Sequence, residues 1–325
     1  MFLKPLLISI MLVSTAQIIT ATSYTFTTVD FSPKGLNNAG SIVGFDFVYS
    51  DGNFGFIDVN QYGPLQSIND SSQIATTRGI YANGNFTPIQ FPYPPPVGAV
   101  FYVSQVTGIN NTGEVIGYYS ETTINQGGGA AVGFTYVNGV YTPITVQQYL
   151  NTYLTGINNL GQIVGYNWDG FSFSFVPGFL YQNGAMTPID APGAQGTYPT
   201  AVNDSGVIVG SYLTSSADPG TSHGFIDVDG SFQNFNVPGA LFTYPQGIND
   251  FGEIVGYYSN TPGPLSNDIH GFIAIPNAVA TPEPSATIFL SIGLAAVFCY
   301  VGGARRKANL SFCPRHCPVP VRVIL

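Results

Sequence analysis

Residues 247–256 read GINDFGEIVG, and copies of this stretch recur along most of the chain. Four close copies and one degenerate copy share its Asn, its turn and its aliphatic pair: GLNNAGSIVG at 35–44, SINDSSQIAT at 67–76, GINNTGEVIG at 108–117, GINNLGQIVG at 156–165 and AVNDSGVIVG at 201–210. Successive copies begin 32 to 48 residues apart. A period of this length indicates a repeat architecture, in which each unit is one supersecondary element that buries its core against the next unit.

A second motif follows each copy, as in GFTYVNGVYTPI from Gly133, and the two motifs together predict four short strands per unit. The strands expected in the fifth unit are 196–203, 207–213, 224–228 and 231–237. They are rich in β-branched and aromatic residues and are separated by Asp-Gly and Asp-Ser-Gly turns, which is typical of antiparallel hairpins. Four strands in about 40 to 50 residues are typical of one propeller blade. We therefore expect an all-β fold, a β-propeller of about six four-stranded blades. Five or seven blades remain alternatives, because the first two units are short.

The last unit lacks a fourth strand, because Pro276 follows Ile275 where the other units continue. An unpaired strand is available at the other end of the repeats, since residues 24–31, YTFTTVDF, alternate in the manner of a strand. Pairing the two would close the ring and remove an exposed sheet edge. We expect the N-terminal strand to complete the final blade.

Each close copy carries a glycine inside its predicted second strand: Gly44, Gly117, Gly165, Gly210 and Gly256. Glycine in a strand interior often marks a bulge or a close approach of another backbone. We expect these glycines to allow a bulge or the approach of the neighbouring blade.

Charge is scarce and acidic in the repeat region. Charged residues make up 8% of the chain, far below the roughly 25% of an ordinary soluble domain. Between residues 24 and 280 only Lys34 and Arg78 are basic, against sixteen acidic residues, so the formal charge is −14. Nucleic acid is therefore an unsuitable partner, because phosphate binding requires clustered Lys or Arg. Cations and neutral, hydroxyl-rich polymers are compatible with this surface.

Both ends of the chain predict export and membrane attachment. Residues 1–23 carry Lys4 and then an uncharged apolar run, the layout of a secretory signal peptide, with an uncleaved anchor as the alternative. The predicted propeller ectodomain is 24–276, followed by a linker at 277–285. Residues 286–304 are nineteen uncharged residues that would span roughly 28 Å as a helix, enough to cross a bilayer. A basic stop and a cytoplasmic tail follow at 305–325.

This tail is similar to the PEP-CTERM sorting signal, because a Pro-Glu-Pro motif, an apolar helix and a basic cluster occur in that order. The matching residues are Pro282, Glu283, Pro284, Arg305, Arg306 and Lys307. The resemblance implies an exosortase-type membrane peptidase as partner, and release or re-anchoring at the surface or in the matrix of a Gram-negative cell that makes extracellular polysaccharide. One departure is that residues 308–325 continue beyond the basic cluster, where the family normally ends.

The repeats themselves resemble HAF-type extracellular repeats, in which a GINxxGxIVG element alternates with a GFxYxNGxxTPI element. His223-Gly224-Phe225 and His270-Gly271-Phe272 are the nearest matches to the His-Ala-Phe of that family, and the other units depart from it. The resemblance implies a propeller-like secreted domain and carries no catalytic residues.

No catalytic constellation is visible in the repeats, so we expect a protein that is not an enzyme. His223 and His270 occupy equivalent repeat positions, and we expect each to serve its own blade. Glu114 and Glu253 also share one position, but in units three and six they would lie across the ring, too far apart to act as the paired carboxylates of a glycosidase. Asn249-Asp250 and its equivalents either form turns or bind Ca²⁺, with turn formation favoured because calcium requires six to eight oxygens.

Aromatic residues are the best candidates for ligand binding. Exposed rings among amide side chains suit stacking on sugars, although inter-blade packing would produce the same repetition. The candidate stacking residues are Tyr119, Tyr166, Trp168 and Tyr258. The sequence thus predicts a surface or extracellular-matrix protein that adheres to or binds polysaccharide. The alternative is a propeller hydrolase or lyase acting on extracellular polysaccharide, which two or more acidic side chains converging at one mouth of the channel would favour.

Overall fold

The structure, a computed structural model, describes residues 23–89, 99–123, 130–145, 151–168, 177–214, 222–261 and 268–277. The chain divides into two compact units, 1–278 and 279–325, and the second lies outside these ranges. The predicted signal peptide up to residue 22, the linker beyond Asn277, the sorting motif, the apolar helix and the basic tail also lie outside the described residues. Within the described ranges, no helix is long and apolar enough to cross a membrane.

The described strands form six antiparallel sheets of four strands, arranged as the blades of a propeller. The chain begins with β1 (Tyr24–Val29), which belongs to the last blade. Blades 1 to 3 contain β2 (Gly35–Leu36), β3 (Ile42–Val43), β4 (Phe47–Ser50), β5 (Asn53–Phe56); then, after α1 (Val59–Tyr62), β6 (Leu65–Ile68), β7 (Ile74–Thr76), β8 (Gly79–Ala82), β9 (Asn85–Pro88); and β10 (Ala99–Ile109), β11 (Val115–Thr123), β12 (Ala131–Val137), β13 (Val140–Ile144). Blades 4 to 6 contain β14 (Asn151–Ile157), β15 (Ile163–Trp168), β16 (Gly178–Gln182), β17 (Ala185–Ile189); β18 (Gly196–Val202), β19 (Ile208–Leu213), β20 (Ser222–Val228), β21 (Ser231–Asn234); and β22 (Phe242–Ile248), β23 (Ile254–Ser259), β24 (Ile269–Pro276).

The expected ring closure is confirmed, because β1 pairs antiparallel with β24 from Tyr24 opposite Pro276 to Val29 opposite Gly271. Side chains reinforce this pairing, since the ring of Phe26 lies 5.3 Å from that of Phe235 and 5.8 Å from that of Phe272. Blade 6 is thus assembled from both ends of the repeat region, and the propeller has six blades.

Turn chemistry explains the hairpins between the third and fourth strands. In five blades an Asn or Asp with φ near +50° is followed by a Gly with φ near +80°, as at Asn183-Gly184 and Asp229-Gly230. Two consecutive positive φ angles define the tight turn that matches the twist of antiparallel strands. The short helix α1 is capped by Asp58, whose carboxylate accepts a hydrogen bond from the Asn60 N–H. Nothing in the periodicity of the sequence predicted it.

The glycine of the second strand and the phenylalanine of the third are one packing unit. A Cβ on Gly256 would overlap the carbonyl oxygen of Tyr244 and would lie 2.9 Å from the Phe272 ring, both in the same blade. Of the two roles expected for these glycines, the bulge is confirmed in blades 3 to 6, where a register shift on the first strand lies opposite the glycine, and the approach of the neighbouring blade is wrong. The approach of the neighbouring blade belongs to the first glycine of the motif. A Cβ on Gly156, for example, would lie 2.8 Å from the Cα of Ala201 in blade 5.

The core consists of these phenylalanines and the aliphatic pairs packed between blades. Phe134, Phe179, Phe225 and Phe272 occupy equivalent third-strand positions and are at most 1% exposed. In the cluster between blades 5 and 6, Val209 and Ile226 of one blade meet Ile254 and Phe272 of the next. Burying each such side chain contributes about 1.5–3 kcal/mol, which explains why every unit repeats the same apolar positions.

Candidate functional site

A closed ring of six asparagines surrounds the propeller axis. In each blade the side-chain amide of the motif Asn donates to the main-chain carbonyl of the equivalent Asn in the next blade, at 2.9–3.4 Å. The bond from Asn249 to Asn37 completes the circle at 3.4 Å. The six members are Asn37, Asn69, Asn110, Asn158, Asn203 and Asn249, all at most 5% exposed.

Each of these side chains also shapes its own turn. The Oδ1 atom of Asn158 accepts hydrogen bonds from the N–H groups of Leu160 and Gln162, at 3.0 and 2.9 Å. The glycine that follows, Gly161, takes a φ of +73° to complete the turn. Because the donor and acceptor of one amide are both used, the side chain can be buried at little cost. Asn is therefore required by the joint between blades, a role beyond the turn formation or Ca²⁺ binding expected from the sequence.

A second ring, the Asn/Asp ring, lies one residue further along. The backbone N–H of each member donates to Oδ1 of its neighbour in the next blade at 2.7–2.9 Å, again in a closed circle. Its members are Asn38, Asp70, Asn111, Asn159, Asp204 and Asp250. Three carboxylates consequently converge at one end of the channel, which is the arrangement that would favour the enzyme alternative.

The carboxylate oxygens of this ring accept hydrogen bonds within it. Asp204 receives the backbone N–H and the side-chain amide of Asn159, both at 2.8 Å, and Asp70 receives the side-chain amides of Asn38 and Asn111. These bonds fix the carboxylates as acceptors between blades. Among the described residues, no group of three or more His, Cys, Asp or Glu side chains is placed to hold a metal ion.

The central channel is a cavity of about 290 Å³ lined by five consecutive residues from each first strand, such as 155–159 in blade 4. Among these five lining positions, the chemical character of the side chain differs most between blades at the first position. In blades 2 to 6 this residue forms a β-bulge against the second strand, and in blade 1 it is Lys34, whose N–H donates to Val43 O at 2.8 Å. The residues at this position are Lys34, Gln66, Thr107, Thr155, Thr200 and Gln246.

Tyrosine side chains gather at the opposite end of the first strands from the two rings. Tyr153 lies five residues before Asn158, which is roughly 16 Å along an extended strand. Its ring is 4.9 Å from that of Tyr118 in blade 3 and 5.1 Å from that of Tyr166, which in turn is 5.3 Å from Tyr198 in blade 5. Tyr244 and Tyr257 form the equivalent pair in blade 6, at 5.0 Å. We call these six half-buried side chains the tyrosine arc.

The hydroxyl groups of the arc are close enough to influence one another. Burial raises the pKa of Tyr166 well above its ordinary value, and the nearby phenols of Tyr153, Tyr118 and Tyr198 raise it further. Burial likewise raises the pKa of Tyr244 and of Tyr257. The arc therefore presents neutral phenols, which both donate and accept hydrogen bonds, beside aromatic faces.

Of the four predicted stacking residues, two lie at the tyrosine arc and two pack elsewhere in their blades. Tyr166 belongs to the arc, and Trp168 lies on the same face of β15, two residues further along. Tyr119 packs against the buried cluster that contains Phe134. Tyr258 lies beside the His270 ring, and its hydroxyl is 3.0 Å from Thr28 Oγ1 of the closing strand.

The candidate catalytic residues are not brought together as a pair. His223 contacts Tyr212 and Asn236 of its own blade, and His270 contacts Asp268 at 2.6 Å. Glu253 accepts a hydrogen bond from the Asn249 amide at 2.7 Å, and Glu114 lies at the same turn position in blade 3.

The sequence identifies Lys34 as one of two basic residues in the repeats, but its place in the channel was not predicted. Lys34 stands three residues before Asn37, just as Thr155 stands three before Asn158. Extending the repeat alignment upstream to this position would have identified it.

No family model matches the chain, and no curated protein does either. Among solved structures, the chain is similar to the β-propeller domain of the Trilobed protease from Pyrococcus furiosus, with 9% identity and a TM-score of 0.45 over 82% of this chain and 99% of that one. It is also similar to a luciferin-regenerating enzyme, with 10% identity and a TM-score of 0.43 over 78% and 95% of the two chains. An acylaminoacyl peptidase matches with 9% identity and a TM-score of 0.37, over 71% of this chain and 42% of that one. These likenesses concern the propeller fold alone.

Proposed function

We propose that this protein is an exported, non-enzymatic surface or matrix protein that binds polysaccharide through the tyrosine arc. The observation that carries the proposal is the run of partly exposed rings from Tyr118 through Tyr198, spaced 4.9–5.3 Å apart across three blades. Aromatic faces pack against the apolar faces of sugars, and phenol hydroxyls supply both donors and acceptors for sugar hydroxyls. The formal charge of −14 supports a hydroxyl-rich partner over nucleic acid.

Retention of glycan tests this proposal directly. The propeller, residues 23–277, is closed by its own first strand and can be immobilised without the flanking segments. We expect it to retain polysaccharide from the matrix of the producing cell, and we expect Tyr153→Ala with Tyr198→Ala to lose that retention. Tyr136→Ala, an aromatic on the third strand of blade 3, is the control. Absence of retention of any glycan would contradict the proposal.

Export and sorting belong to the same proposal and rest on the two termini. The similarity of 282–307 to a PEP-CTERM signal supports recognition by an exosortase-type membrane peptidase, followed by release or re-anchoring at the cell surface. Replacing Pro282, Glu283 and Pro284 by alanine should leave an uncut, membrane-bound precursor. Unchanged processing would remove the sorting interpretation.

A hydrolase or lyase acting on extracellular polysaccharide is the second candidate, and one observation favours it. Asp70, Asp204 and Asp250 converge at one end of the channel. Against it, the same carboxylates accept the hydrogen bonds that join the blades. Incubation of the propeller with matrix polysaccharide should release no reducing ends and no unsaturated sugars. Release that is lost in Asp204→Asn would establish the enzyme instead.

A further inference from the structure

The bulge layer of the channel has two chemically different halves. In blades 3 to 5 the bulge residue is Thr, and its hydroxyl donates to a carbonyl of the next blade at 2.8 Å in all three cases. In blades 6, 1 and 2, which are consecutive around the ring, the residues are Gln246, Lys34 and Gln66. The Gln246 amide donates to Pro245 O of its own strand at 3.2 Å, and the Gln66 amide donates to Pro64 O, just before its strand, at 3.4 Å. An amide carries two N–H groups, so within the described residues one donor of each Gln is left for a ligand.

Lys34 is a half-buried cation without a carboxylate partner among the described residues. Its ammonium lies 5.5 Å from the centroid of the Phe45 ring, and burial lowers its pKa. Burying a cation costs free energy unless a counter-charge or a set of acceptors compensates it. Lys34 belongs to blade 1, between the two blades that contribute Gln246 and Gln66 to the channel lining. An ammonium and two amide donors lining one half of a channel are chemically complementary to an anion, and above all to the two oxygens of a carboxylate.

We propose that this half of the channel binds the carboxylate of an acidic sugar residue, with Lys34 as the counter-ion and Gln66 and Gln246 as flanking donors. The inference rests on the proposed function, of which it names the ligand class. A cavity of about 290 Å³ is at the lower end of the range for small-molecule sites and suits a single sugar unit. Phe45, which is 53% exposed, offers an aromatic face beside the ammonium.

The two ends of the channel differ in charge and therefore assign a direction to the ligand. Asp70, Asp204 and Asp250 repel an anion from the end with the Asn/Asp ring. The acidic sugar consequently approaches from the tyrosine arc, with its carboxylate leading toward Lys34. The remaining negative charge of the propeller is screened beyond about 8 Å at physiological ionic strength, whereas the contact with Lys34 is not.

A matched pair of ligands tests the proposal on the full chain. Isothermal titration at about 0.15 M salt compares an oligogalacturonate with the same oligosaccharide after its carboxyl groups have been reduced to alcohols. We expect the acidic oligosaccharide to bind about tenfold more tightly, the size of effect typical of one charge-assisted hydrogen bond. Lys34→Met should lower its affinity to that of the neutral form and leave the neutral form unchanged, while Lys34→Arg should keep the preference.

Arg78→Met is the control, because it removes the same charge from a side chain that donates to Asn60 O and Gln61 O outside the channel. Arg78→Met should leave the preference for the acidic oligosaccharide intact. If both Met variants lose this preference equally, the effect is due to net charge, and the proposed site is overturned. Equal binding of the two oligosaccharides by the wild type would also overturn the inference, while the proposed function would stand. Binding of neither would overturn this inference, and the retention of matrix polysaccharide by the propeller then decides the proposed function separately. If the unfolding midpoint of each variant matches that of the wild type, the loss of affinity is local and does not result from unfolding.

Discussion

The two ends of the first strands differ in how strictly the repeat is kept. At one end, all six blades place Asn in the same position, and its amide joins each blade to the next in a closed circle. At the other end, five residues earlier in each unit, the residue differs among blades 1 to 3 and is Tyr only in blades 4 to 6: Ser32, Pro64, Gln105, Tyr153, Tyr198 and Tyr244.

The difference separates what the ring needs from what it leaves open. A circle of hydrogen bonds is complete only if every member can donate and accept, so a single unsuitable residue leaves a buried group unsatisfied. No such circle constrains the tyrosine end, where the contacts are between pairs of rings. Changes at the Asn end should therefore affect stability, and changes at the tyrosine end should affect binding.

The largest effect is expected from opening the ring. Removal of β1 (Tyr24–Val29) deletes the outer strand of blade 6 and exposes the edge of β24. The loss includes the packing of Phe26 on Phe235 and Phe272, so we expect no cooperative unfolding transition by circular dichroism. A chain that begins at Ser23 is the control and should unfold cooperatively. If the shortened chain unfolds at the control's midpoint, ring closure is not what stabilises the propeller.

A single break in the Asn circle should cost less but remain severe. Asn158→Ala removes the bond to Asn203 O and the two bonds that shape the turn, leaving buried groups without partners. We expect the free energy of unfolding to fall by about 3 kcal/mol, measured by denaturant titration. Asn85→Ala, on an exposed outer hairpin, should change it by less than about 0.5 kcal/mol. If the two substitutions lower the free energy of unfolding equally, the Asn circle contributes no more to stability than an exposed hairpin residue.

The architecture could be predicted because it depends on local and periodic signals. Six copies of one stretch, the missing strand after Ile275 and the spare strand before the first unit together predicted six blades and their closure. The role of Asn could not be predicted in the same way. Its partner is the next turn around the ring, up to 212 residues away in sequence, so its function exists only once the ring has closed.

The candidate site was predictable only in part, for a related reason. Tyr118 and Tyr119 are neighbours in sequence but face opposite sides of β11, because successive strand residues alternate. The repeat alignment makes Tyr118 equivalent to Tyr166, since each follows the last glycine of its copy, but only the strand pairing shows that these two rings lie beside Tyr153 at the arc. Lys34 stands out in the sequence only as one of two basic residues, and its position in the channel follows from the bulge register of the other blades.

The second-strand glycines allow a smaller, local test of the repeated framework. A Cβ on Gly256 would lie 2.9 Å from the Cα of Pro245, and backbone cannot move aside as a flexible side chain can. We expect Gly256→Ala to lower the free energy of unfolding by about 2 kcal/mol. Gly55→Ala is the matched control, since its Cβ would meet only Val48 O, at 4.0 Å. A neutral Gly256→Ala would show that close packing on Phe272 does not require glycine.

The smallest effect is expected at the tyrosine end and depends on pH. Because burial raises the pKa of Tyr166, the folded protein holds this phenolic proton more tightly than the unfolded chain does. Its contribution to stability is therefore complete below about pH 10, the pKa of an exposed tyrosine, and is lost as the pH rises toward the folded value. Tyr166→Phe removes the ionisable group, so the variant should lose less stability than the wild type between about pH 9 and pH 11. Denaturant titrations across this interval, with tyrosinate absorbance followed in parallel, measure the difference. Parallel declines in the two proteins would mean that the arc leaves its phenols fully solvated, and the proposed sugar-binding surface would then lose its distinction from ordinary exposed tyrosines.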